Sequence, residues 1–287
     1  MESESSDHPS APGPADAYSP AEIARRVETL GVAKARTGTF SLLVLAILAG
    51  AFISIGALLY VFAITDPKLG FGPTRLLGGA AFSLGLILVV IAGAELFTGN
   101  NLIAMAYASG RIGPFDVLRN WCVVYAGNVI GCLATVGIVL ACDLASAHGG
   151  EVEETVRRIA HAKMELSGTA AFARGVLCNA LVCLAVWLAM GGRTVTDKVL
   201  AIVFPITAFV AIGLEHSIAN WFFLPYGLAF VEGPNVFVDS ALNLVAVTAG
   251  NIVGGTVLVG GIYWLAYRRG SPGSGRDPNR VERTSAR

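Results

Sequence analysis

The chain has 287 residues, 54% of them hydrophobic and only 14% charged, with 34 glycines, a balance too apolar for a water-soluble domain of this length and typical of bilayer-spanning helices. Its formal net charge is zero and the charges gather in loops and tails, so the sequence points to a polytopic membrane protein with no nucleic-acid partner. Cys122, Cys132, Cys142, Cys178 and Cys183 lie in or at the ends of apolar segments with no C-x-x-C and no nearby histidine pair, so neither a disulfide framework nor a metal site is indicated, and no cofactor motif is present.

Residues 1–18 are acidic, rich in Pro and Ser, and lack an apolar h-region, which predicts a disordered tail and not a cleaved leader. Residues 19–36 open on a capping box, Ser19-Pro20-Ala21-Glu22, and carry an apolar stripe (Ile23, Val27, Leu30) opposite Arg25, Arg26 and Glu28; an amphipathic helix on the membrane surface is expected. A channel domain over 37–269 follows, then a disordered basic tail over 270–287.

Within that domain, 40–64 is long enough to cross about 30 Å of hydrocarbon. The apolar run 76–108 is too long for one straight crossing and is interrupted by Gly93, Glu95, Thr98, Gly99, Asn100 and Asn101, which predicts two half-helices around an unwound joint. A third span covers 117–141, and a polar connection over 143–168 contains a short surface helix, EVEETVRRIAHAKMEL. Then come a span at 170–190, a second over-long run at 199–230 broken at GLEHSIAN (213–220), and a last span at 239–267.

The two broken runs match each other. GAELFTGN (93–100) and GLEHSIAN share G-x-E-x-x-x-x-N, so Glu95 answers to Glu215 and Asn100 to Asn220, and a Gly-Asn element follows each, at Gly127-Asn128 and at Gly250-Asn251. Three spans per half is odd, so the second copy enters from the opposite side: an all-α fold of six transmembrane helices in an inverted 3+3 repeat, with broken second and fifth helices and a site near the midplane. The faces shared by the two termini hold fourteen Lys and Arg against six on the other face, which predicts both termini in the cytoplasm.

Ionisable groups at bilayer depth mark functional sites by default. Glu95 and Glu215 have no Lys or Arg beside them in the spans, and two readings stand: each carboxylate staples its joint by accepting freed backbone N–H groups, or takes part in transport. His216 switches charge near neutral pH, and its neighbour Glu215 can fix its tautomer. Thr98 and Asn179 are small hydrogen-bonding groups for the same cavity, and Phe82, Leu86, Phe97 and Phe209 are candidates for apolar constrictions. A membrane enzyme working through Glu215 and His216 would need further polar or metal-binding residues at one depth, and there is no H-E-x-x-H; a water or glycerol channel would carry N-P-A motifs, which are absent.

The stretches AGAFISIG (49–56), FSLGLIL (82–88), GAELFTGNN (93–101), NALVCLAVW (179–187), GLEHSIAN and AGNIVGGTVLVG (249–260) resemble the formate/nitrite transporter family over residues 19–267. The resemblance implies an aquaporin-like fold, a homopentamer in the inner membrane with one pore per protomer and a lipid-plugged axis, and passage of a small monovalent anion among formate, nitrite and hydrosulfide, of which formate is the preferred reading; crossing apolar rings favours a neutral, protonated form and so coupling to protons. It implies that His216 is the central pore histidine, Thr98 its partner and Asn179 a polar lining group. It places Leu86 and Phe209, with Phe82, on the cytoplasmic constriction and Leu96, Phe97 and Val182 on the periplasmic one, and makes Lys163 a vestibule lysine. Two mechanisms stand at His216: the ring, or water held by it, protonates the anion so that the neutral acid crosses the apolar rings, or a permanently cationic ring attracts the anion. Where many members carry Lys just before the first span, this chain has Ser41.

Overall fold

A computed structural model describes residues 16–270, which contain helices and connections and no strand; of the tails expected over 1–18 and 270–287, residues 1–15 and 271–287 lie outside the described residues. The helices are α1 (Pro20–Arg36), α2 (Thr39–Ile64), α3 (Phe71–Ala92), α4 (Phe97–Asn100), α5 (Ala104–Ala108), α6 (Pro114–Ala141), α7 (Glu151–Met164), α8 (Gly168–Gly191), α9 (Val195–Ile212), α10 (Ser217–Leu228), α11 (Val236–Val253) and α12 (Ile262–Tyr267). A 3₁₀ turn joins α4 to α5, and a π-helical stretch, Gly254–Gly261, joins α11 to α12, so that Val236–Tyr267 forms one crossing. Six helices among the described residues are long and apolar enough to cross a membrane.

α3 and α9 pack against each other at the centre, α2 and α6 close one side, and α8 and α11 close the other. The short half-helices cross over: α4 of the first half packs on α8 of the second, and α10 of the second half packs on α6 and α2 of the first. Backbones meet closely at the α2/α6 and α8/α11 crossings, where a Cβ on Gly50, Gly131, Gly250 or Gly254 would overlap a carbonyl of the neighbouring helix. Small residues replace lipid-excluded side chains there, and van der Waals contact and buried polar bonds then hold the halves together.

The repeat extends one element further than the three spans that the sequence displays. α1 precedes the first half as α7 precedes the second, and each contributes one lysine to the joint of its own half, Lys34 and Lys163. The apolar stripe of α1 packs on the protein itself. Its apolar residues Ile23, Ala24 and Val27 are buried against Leu102, Met105, Trp187 and Val259, and Val32 and Ala35 against Ile103, Ala106 and Ile112. Glu28, expected on the polar face, is fully buried, because Arg111, Arg268 and Ser109 all donate to its carboxylate. That cluster ties α1 to the segments after α5 and after α12, so the two ends of the described chain lie on one face.

Candidate functional site

Each broken helix is stopped by glycine. Gly93 ends α3 at φ 84° and Gly213 ends α9 at φ 85°, a left-handed conformation that costs any other L-residue, and three extended residues carry each chain to the next half-helix. The freed backbone groups are satisfied by the asparagines of the two Gly-Asn elements. Asn128 accepts from Phe97 N–H at 2.9 Å and donates to the carbonyls of Glu95 and Ala46; Asn251 accepts from Ser217 N–H at 2.8 Å and donates to the carbonyls of Glu215 and Gly175. The stapling expected of the glutamates therefore belongs to Asn128 and Asn251, whose amides carry both a donor and an acceptor where a carboxylate would only accept.

The glutamates are not unpaired. Lys34 Nζ lies 2.8 Å from Glu95, and Lys163 Nζ lies 3.0 Å from both oxygens of Glu215. Asn100 donates to Glu95 and to Asn120, and Asn220 donates to Glu215 and to Asn243; Asn120 and Asn243 in turn donate to the carbonyls of Lys34 and Lys163. Two equivalent Lys-Glu-Asn-Asn networks result, one per half, with the lysine arriving from a surface helix far away in sequence. Sequence alone does not display these pairs, because both cations lie outside the spans.

The halves differ at the next position. His216 occupies the N-cap of α10, where its repeat counterpart Leu96 occupies the N-cap of α4. Nδ1 of His216 accepts from Ala219 N–H at 3.0 Å, and Nε2 lies 3.0 Å from Thr98 Oγ1. A backbone amide can only donate, so the neutral ring carries its proton on Nε2 and donates to Thr98. The tautomer is fixed by the helix's first turn and not by Glu215, which is spent on Lys163 and Asn220. By register Thr98 answers to Ile218, so the histidine–threonine pair is a feature of one half meeting another and not a repeat pair.

Two cavities flank this pair. The one on the α7 face, about 170 Å³, is lined by Tyr60, Phe82, Phe209, Phe223, His216 and the charged residues Arg75, Lys163, Arg174 and Glu215. The one on the terminal face, about 260 Å³, is lined by Leu86, Val89, Leu96, Val186 and Met190 with Lys34, Glu95 and Asn100. The floor of the first is aromatic: Phe209 stacks on His216 with centroids 6.0 Å apart, Phe82 meets Phe209 edge-on at 5.6 Å, and Tyr60 meets Phe223 at 5.8 Å. The floor of the second is aliphatic. Thr98 is fully buried and His216 only 3% exposed, so the route between the cavities is closed around this polar pair.

This arrangement regroups the constriction residues expected from sequence. Phe82 and Phe209 share a cavity with Lys163, whereas Leu86 lines the opposite one together with Leu96. Phe97, Asn179 and Val182 line neither. Phe97 packs on Trp121 and Tyr125 of α6, and Val182 is buried in the core. Asn179 spends its amide on the carbonyls of Thr98 and Asn251 and on Asn101, binding α8 to the joint. Tyr60, Phe223, Arg75, Arg174 and Lys34 also belong to the cavities; Arg174 is a cation within an apolar span and Arg75 borders one, the sequence signal that marks them.

Six helices of spanning length, two half-helices meeting between them, and two cavities separated by a closed constriction define a pore protein for small solutes. The family model for Formate/nitrite transporter matches residues 21–265, and this chain belongs to that family. It is 40% identical over 278 residues, 90% of this chain and 98% of the relative, to "Formate channel FocA" of Escherichia coli (strain K12). It is 39% identical over 266 residues, 87% of this chain and 97% of the relative, to "Probable formate transporter" of Methanothermobacter thermautotrophicus. Among solved structures, "Pentameric formate channel with formate bound" matches with a TM-score of 0.74 at 42% identity, covering 80% of this chain and 97% of that one. "FNT family ion channel" matches with a TM-score of 0.77 at 29% identity, covering 85% of this chain and 98% of that one.

Proposed function

We propose that this chain is a formate channel that assembles as a homopentamer in the inner membrane, with both termini cytoplasmic, and moves formate between its two vestibules as the neutral acid, carrying one proton with it. The relatives named above as formate channels support the substrate, and the relative described as pentameric supports the assembly. The fourteen-to-six excess of Lys and Arg on the terminal face supports the orientation.

Magnitudes favour the neutral species. Moving a carboxylate-sized anion from water into a dry barrier costs of order 20 kcal/mol in the ideal limit and several kcal/mol after relaxation. Protonating a carboxylate of pKa about 4 at pH 7 costs only about 4 kcal/mol. An anion gathered by Lys163 or Lys34 takes a proton from water at the edge of the barrier, crosses as an acid, and returns the proton to water on the far side, so charge and protons balance. The single observation that carries this reading is the polar pair at the barrier: His216 Nε2 and Thr98 Oγ1, 3.0 Å apart, can hydrogen-bond a carboxyl group between the aromatic and the aliphatic floors. The cap on Nδ1 argues against a permanently cationic ring, since protonating Nδ1 would set a proton against Ala219 N–H and open the first turn of α10.

The test is flux in proteoliposomes of the purified protein with formate, nitrite or hydrosulfide outside and a pH dye inside. Formate entering with internal acidification, above empty liposomes, is expected. Nitrite or hydrosulfide flux without formate flux would contradict the substrate.

A further inference from the structure

The proposed passage of formate is the frame for a feature of the α7-face cavity that the repeat does not require. Arg75 on α3 donates through Nε to Ala211 O at 2.8 Å and through Nη2 to Val210 O at 3.1 Å, while Arg174 on α8 donates through Nη1 to Gly213 O at 3.4 Å. Both guanidiniums thus rest on the carbonyl end of α9, where positive charge is favoured, and Gly213 brings them together: a Cβ there would stand 2.8 Å from Arg75 Nη2. Among the described residues neither forms an ion pair, and the nearby Glu215 is engaged by Lys163. Each retains donors beyond those given to the carbonyls.

The other half has nothing comparable. The position equivalent to Arg174 is Leu45, since Glu215 N–H donates to Arg174 O as Glu95 N–H donates to Leu45 O. The position equivalent to Arg75, eighteen residues before the stopping glycine, is the exposed Val195. The α7-face cavity therefore carries three cations against one carboxylate, and the terminal-face cavity one against one.

We propose that Arg75 and Arg174, seated on the carbonyls around Gly213, form an anion-binding subsite for a small carboxylate or other monovalent oxyanion, loading the pore from the α7 face ahead of the aromatic floor. Guanidinium suits this because its planar fork matches a carboxylate and stays charged at all relevant pH. A cleft of one sign bounded by low-dielectric walls raises the local concentration of the opposite ion, so transport saturates at lower concentration from this face.

Proteoliposomes with a single orientation, set through a C-terminal tag, allow formate flux to be titrated from each face. The half-saturating formate concentration at low ionic strength is expected to be roughly tenfold lower from the α7 face, with the gap closing in high salt. Arg174→Leu, which installs the residue of the other half, raises it roughly three- to fivefold on that face alone, and Arg174→Lys retains most of the advantage. Equal half-saturation from both faces in the wild type, or an Arg174→Leu shift equal on both, overturns the subsite. A readout independent of transport is bromide, located by anomalous scattering in crystals of the full-length protein. Bromide touching both guanidiniums, and lost in Arg174→Leu, upholds the subsite even if formate is not conducted, in which case the substrate reading alone falls. Formate conduction with no bromide at these arginines overturns the subsite and leaves that reading standing.

Discussion

The two vestibules are built on one framework and lined with two chemistries. In each, a left-handed glycine stops a helix, an asparagine satisfies the freed backbone, and a lysine from a surface helix pairs with a glutamate. Around this shared frame, the terminal-face cavity is aliphatic and charge-balanced, and the α7-face cavity is aromatic and cationic. The residues that must hold an unwound joint at bilayer depth have few alternatives, because every orphaned polar group costs kcal/mol there. Lining residues owe nothing to the joint and are free to diverge, so the asymmetry of the pore resides in Leu96 against His216, Leu45 against Arg174, and aliphatic against aromatic floors.

The strongest test of the shared frame is to remove its staples. Asn251→Ala and Asn128→Ala each strand a backbone N–H and a carbonyl at the joint, and each should lower stability by about 3 kcal/mol. Thermal unfolding of the detergent-solubilised assembly should show similar losses from both; a loss confined to one half would break the equivalence. The ion pairs come next. Lys163→Met should cost about 3 kcal/mol and Lys34→Met about 2 kcal/mol, because the Lys163–Glu215 pair is the more deeply buried and removing the cation leaves a buried carboxylate. The reverse order in the same melts would contradict the burial argument.

The stopping glycines separate frame from lining. Gly93→Ala and Gly213→Ala should each cost about 1–2 kcal/mol in backbone strain. Gly93 has open space for a Cβ, whereas one at Gly213 would press on Arg75, so only the second should also weaken formate loading from the α7 face. The smallest effect concerns Glu28. Burial pushes its carboxyl up, but hydrogen bonds from Arg268, Arg111 and Ser109 outweigh that and hold it below the usual glutamate range. Its contribution to α1 docking is therefore complete above pH of about 4.3 and lost as pH falls through the depressed value. A spin label at Arg25 should stay immobile at neutral pH and loosen only under stronger acid; loosening between pH 7 and 5 would contradict the sign.

Much of the framework was legible in the sequence because its signals are local: apolar runs of spanning length, two runs too long to be straight, and a G-x-E-x-x-x-x-N element in each. The matching Gly-Asn elements were legible as a repeat, but not as the staples of the joints, since that pairing joins residues 31 and 34 positions apart across two helices. Lys34 escaped notice because a cation on an amphipathic helix reads as solvated, and only the docking of α1 brings it to Glu95. Tyr60 and Phe223 carry no distinguishing signal in the sequence, since composition cannot tell which face of a uniformly apolar helix turns inward. Thr98 and His216 stood out as polar residues at a break, yet the cap that fixes the imidazole's tautomer required coordinates.

The central claim is that the barrier between the vestibules passes formate as a neutral acid at the His216–Thr98 pair. It is tested most directly by the ratio of protons to formate entering proteoliposomes, measured with an internal pH dye and labelled formate, in wild type and in His216→Leu. Leucine removes the hydrogen bond that the ring offers a carboxyl group at the barrier. The account predicts one proton per formate in the wild type, with loss of that uptake in a variant that still purifies as an intact assembly. Formate entering wild type without a proton, or wild-type proton-coupled uptake in intact His216→Leu, would contradict it.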